Sequence, residues 1–118
     1  MANIDDLTKK QFGQIGSVFT SVDGAITPPT NKVFIAITFL ADTTLDTTGG
    51  LVADTNYNSC EFAGTTVAAH DASTATDVTG TGGDAIDVID VFPKGVTIFG
   101  RWTEIDVASG VIIAYIGS

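Results

Sequence analysis

The sequence predicts a single all-β domain, a β-sandwich or small β-barrel carrying a flexible N-terminal arm. Three observations predict it. Two segments, Lys32 to Leu40 (KVFIAITFL) and Val111 to Ile116 (VIIAYI), are dense in β-branched and aromatic residues and apolar on both faces. Twelve of the fourteen acids are Asp, which favours turns where Glu favours helices. The last quarter reads as a turn, a long strand, a tight turn and a closing strand. At 118 residues the chain has the size of one domain with one core.

Residues 1–10 are polar, with the acids Asp5 and Asp6 before the bases Lys9 and Lys10, and form the arm or at most one helical turn. The β-domain occupies residues 11–118. Phe12, Ile15, Val18 and Phe19 fit a helix by spacing, but Gly13 and Gly16 make one costly, so an extended segment is expected. Val22-Asp23-Gly24-Ala25 signals a turn, and Pro28-Pro29-Thr30-Asn31 a loop. Lys32 to Leu40 follows as the main strand of the first half, expected to be covered on both sides by a second sheet or another subunit. Gly49-Gly50 breaks a Thr/Asp-rich stretch that holds Leu45. Leu51-Val52-Ala53 is a short apolar patch, and Ser59 to Phe62 suits a short strand.

Ala63 to Asp84 is small, polar and Gly-rich, buries little apolar area per residue and is expected to loop out as a displayed or contact segment. Apolar character resumes over Ala85 to Val91. Pro93-Lys94-Gly95 then supplies a turn, with Pro presetting φ and Gly available for positive φ. In the long strand, Val96, Ile98, Gly100 and Trp102 share one face, whereas Ile105 and Val107 fall on the other. Such a switch requires a bulge near Thr103 or a change of environment along the strand. Gly100 permits a close approach by Trp102 or a neighbouring strand. Ala108-Ser109-Gly110 reverses the chain, with Gly110 placed for a left-handed conformation.

Charged residues make up only 16% of the chain, against roughly 25% in ordinary soluble domains. The surface is therefore built from Thr, Ser, Asn, Gly and Asp, as in extracellular β-domains and particle coats. A net charge of −9 disfavours contact with phosphate backbones and anionic membranes. The one Cys, Cys60, excludes an internal disulfide. No run approaches a membrane span, and the N-terminus lacks the basic and apolar regions of a signal peptide, so synthesis in a host cytoplasm is expected.

Nothing in the sequence assembles an enzyme. One His, His70, and one Cys leave too few partners for a triad or a zinc site, and no cofactor motif is present. The best metal candidates, Asp84, Asp87 and Asp90 with Asp77 nearby, match no known Ca²⁺ loop and read as a solvated acidic edge. Trp102, Tyr115 and Arg101 have the chemistry of a sugar-stacking platform, although a lone Trp in a short β-domain more often fills the core. Arg101, isolated among fourteen acids, is expected to pair with one of them, within the chain or across an interface.

The stretch Phe92 to Trp102 (FPKGVTIFGRW), the ending Ala108 to Gly117 and the strand Lys32 to Leu40 resemble small virion structural proteins of tailed bacteriophages, especially marine ones. These share an ending of the form FPKGxTIxGRW … LxSGxxIAYxG and an early KVFxAIxFL strand. The resemblance covers about a third of the chain. By analogy it implies a capsid decoration (cement) protein, located on the virion, bound to the major capsid protein and trimeric. The acidic charge, the lack of an apolar span and the lack of motifs lead to the expectation of no nucleic acid, no membrane and no cofactor. The arm residues Ile4, Asp5, Asp6, Lys9 and Lys10, together with Arg101, are the expected assembly contacts. The alternative is a receptor- or glycan-binding head-fibre or tail-fibre module, or another tail component.

Overall fold

Strand follows strand through residues 15–21, 24–54, 62–65 and 85–118, which are the residues described by a computed structural model. The arm and its candidate contacts, Cys60, His70, Asp77 and Asp84 lie outside them. The elements are β1 (Gly16–Thr20), β2 (Ala25–Ile26), β3 (Val33–Phe39), β4 (Thr44–Leu45), β5 (Leu51–Ala53), β6 (Thr97–Ser109) and β7 (Ile112–Gly117). All pair antiparallel, in the order β1-β7-β3-β6-β2, with β4 and β5 also on β6. The expected all-β class is therefore observed, as a curled sheet forming a half-barrel.

The 13-residue β6 is the spine. Trp102 is in register with both Phe34 of β3 and Ala53 of β5, so those strands flank β6 on opposite edges. Ile105 is likewise shared between Ile26 and Leu51. Register shifts break the ladders between Phe34 and Ala36, between Val52 and Ala53, and between Thr44 and Leu45. Each inserted residue bends its strand and adds right-handed twist, and three of them along one sheet roll it up.

The shift at Val52/Ala53 leaves Thr103 as the extra residue of β6, because Ala53 faces Trp102 and Val52 faces Glu104. This is the bulge that the change of apolar face demanded. Ile98 packs against the core and Trp102 is buried in it. Beyond the bulge, Ile105 and Val107 are buried in the same core. One strand thus keeps its apolar side inward around a bend. Phe34, Ile37, Phe39, Leu45, Leu51, Ala53, Ile112, Ala114 and Ile116 share the interior with these β6 side chains. Full burial of each large aliphatic or aromatic side chain contributes about 1.5–3 kcal/mol.

The turns follow the local chemistry. Gly95 (φ 92°) closes the turn after Pro93, donating its N–H to Phe39 O at 2.7 Å. Gly110 (φ 118°) reverses the chain between β6 and β7. Phe92 stacks on Phe39, with ring centroids 4.7 Å apart and planes 8° from parallel.

Lys32 to Leu40 and Val111 to Ile116 are expected to be covered on both faces, by a second sheet or another subunit. The structure covers one face with core, while Ile35, Thr38, Ile113 and Tyr115 remain half-buried on the other. Their apolar content serves a face that no second sheet covers among the described residues. The proposed strand at Ser59 to Phe62 is absent at Phe62, and its first three residues lie outside the described set. Most of the expected 63–84 loop also lies outside. Its flanks are held together, because Ile86 donates its N–H to Gly64 O at 2.8 Å and Thr65 bonds to Leu51.

Candidate assembly surface

Alternation along the strands fixes which side chains point away from the core. Val18, Ile98, Ile37 and Ala114 face inward. Their neighbours Ser17 and Phe19 on β1, Ile113 and Tyr115 on β7, Ala36 and Thr38 on β3, and Thr97 and Phe99 on β6 therefore share the outer face. Register places them in two rows. The first is Phe19, Ile113, Thr38 and Thr97; the second is Ser17, Tyr115, Ala36 and Phe99.

Phe99 is 72% exposed and Phe19 62%, unusual values for two Phe on a four-strand face. None of the eight positions is charged, although the chain carries −9. The Thr38 and Thr97 hydroxyls lie 2.8 Å apart in a mutual hydrogen bond, so the polar atoms at that side of the face already have partners.

The acids serve elsewhere, mostly to hold turns. Asp42 Oδ1 accepts the Lys94 N–H at 2.9 Å, and Asp106 Oδ1 accepts that of Gly24 at 3.2 Å. Asp87 Oδ1 accepts from the Thr47 hydroxyl and from the Val88 N–H, and Asp90 Oδ2 accepts from the Asp87 N–H. Asp87 and Asp90, singled out as metal candidates, thus cap a turn. Among the described residues no group of three or more His, Cys, Asp or Glu is placed to hold a metal ion. The turn they brace leaves Val88, Ile89 and Val91 exposed, whereas Ile86 packs on the core.

Arg101 finds its acid within the chain. Its Nε donates to Asp54 Oδ2 at 3.2 Å and an Nη donates to Ser118 O at 2.8 Å, tying β6 to the end of β5 and to the residue after β7. Trp102 is 1% exposed, and its indole N–H donates to Ala63 O at 2.7 Å. The sugar-stacking arrangement is therefore not formed: the Trp ring fills the core and the guanidinium is engaged internally, while Tyr115 stands on the outer face.

Sequence reasoning did not find this face. The local signal was present, because VFIAITFL and VIIAYI carry apolar residues at both parities. Only the pairing of strands far apart in sequence joins Phe19 to Phe99. Comparison with known protein families, characterised proteins and solved structures finds no match.

Proposed function

We propose that the chain is a virion structural protein, a capsid decoration (cement) protein that binds the outside of a phage head through the major capsid protein and stabilises the shell as a homo-oligomer. The observation that carries this reading is the patch of eight uncharged outer positions on β1, β7, β3 and the first residues of β6, with Phe19 and Phe99 standing out from it. Such a face offers association and no bond-making chemistry. The resemblance of Lys32 to Leu40 and of the chain's ending to phage virion proteins supplies the setting.

The mechanism is mass action. DNA packed at high density pushes outward on the shell. A protein that binds across neighbouring capsid subunits binds only the assembled lattice and so shifts the equilibrium toward it. Several weak contacts per copy, with the arm residues Ile4, Asp5, Asp6, Lys9 and Lys10 among them, add through avidity. The glycan-binding alternative loses its platform, because Trp102 presents no ring to solvent.

The test is thermal release of DNA from heads assembled with and without the chain. Heads lacking it are expected to rupture at a lower temperature, and purified protein added back is expected to restore the difference. Equal rupture temperatures would overturn the reading.

A further inference from the structure

The outer face has a pattern of its own. In the first row the bulky residues, Phe19 and Ile113, lie on β1 and β7, while Thr38 and Thr97 lie on β3 and β6. In the second row the order is Ser17, Tyr115, Ala36 and Phe99. A second copy can be laid face to face by a two-fold rotation about an axis parallel to the strands, midway between β7 and β3. Each row then meets its own reverse. Phe19 falls opposite Thr97 of the other copy, Ile113 opposite Thr38, Tyr115 opposite Ala36, and Phe99 opposite Ser17. Every large side chain meets a small one, as facing sheets require for interdigitation at about 10 Å.

We infer that this face is an isologous interface, and that its occupant is a second copy of the chain. Three features besides the steric pattern support it. A chain of net charge −9 repels its own copies, yet these eight positions carry no carboxylate. The hydroxyls of Thr38 and Thr97 are bonded to each other, so burying the pair leaves only one of their two O–H protons to be placed. The two most exposed Phe among the described residues stand at opposite edges of the face and in different rows, which gives a two-fold pair four anchors, two equivalent copies of each. The inference does not depend on the virion reading. It also departs from the trimer that resemblance suggested, because the pattern complements itself by two-fold rotation.

The test is sedimentation velocity of the full chain over a range of concentrations, for the wild type and three single variants. Phe99→Ser removes an anchor. Thr97→Phe adds apolar area but places a bulky ring where Phe19 of the other copy must sit. Ile89→Ser removes an exposed apolar residue that is not on this face. Trp102 emission reports whether each variant is folded. The wild type is expected to form a dimer, with Phe99→Ser and Thr97→Phe each weakening it at least about tenfold and Ile89→Ser leaving it unchanged. Unspecific stickiness would instead strengthen in Thr97→Phe. A wild type that stays monomeric, a trimer, or a dimer that tolerates Thr97→Phe would overturn the inference. The head-rupture experiment is read separately, so failure of one leaves the other standing.

Discussion

At Trp102 one side chain fills the interior and also fastens a loop. Its ring lies against Gly100, where an added Cβ would come within 2.7 Å of it, so Gly100 is needed for space. Its N–H holds Ala63, and through it the segment that runs beside β5. Replacing Trp102 by Ala removes the largest fully buried side chain and leaves the Ala63 carbonyl without this donor. The expected loss is about 3–5 kcal/mol, measured by urea unfolding followed by circular dichroism. In the native protein the emission of this single Trp should be blue-shifted and resistant to soluble quenchers. Arg101, next in the chain, points the other way and pairs with Asp54. The expected partnership with an acid was legible from charge alone. Its identity was not, because 47 residues separate the two.

The strands owe their length and curvature to a few backbone positions. Gly110 and Gly95 both have positive φ, but their surroundings differ. A Cβ on Gly95 meets nothing within 4 Å, whereas one on Gly110 runs into Thr43, a residue with no exposed surface. Gly95→Ala should therefore cost only the strain of its backbone conformation, about 1 kcal/mol. Gly110→Ala adds a steric clash at the β6–β7 reversal and should lower the melting temperature distinctly further. Equal shifts would show that Thr43 yields freely. The bulge at Thr103 was readable because the apolar face of the strand changes there, and a strand cannot turn its oily side to water without inserting a residue. The bulge beside Ile35 was not readable, since VFIAITF is apolar at every position but one and gives no sign of a shifted register.

Across the whole molecule, charge and apolar surface are segregated. Most acids brace turns, Glu104 and Asp106 lie on β6 beyond its bulge, and the eight outer positions around Phe19 and Phe99 are free of acids. Association through that face is driven by apolar burial, so it should persist when salt is raised from low concentration to about 0.5 M, where the Debye length falls to a few ångströms. Sedimentation at both salt levels checks this. Dissociation by salt would mean that ion pairs, and not this face, hold the copies together.

The main strands and turns follow from residue order, and the switch of apolar face in β6 called for a bulge or a change of environment, because alternation, Asp and Gly act over a few neighbouring positions. Class and the main strand boundaries could therefore be read directly. Tertiary structure alone decided that the sheet curls into a half-barrel, that Trp102 faces inward, that Arg101 meets Asp54, and that Phe19 and Phe99 share a face. Those outcomes depend on which strands become neighbours and in what register, and non-local pairing leaves no mark in any short window of sequence.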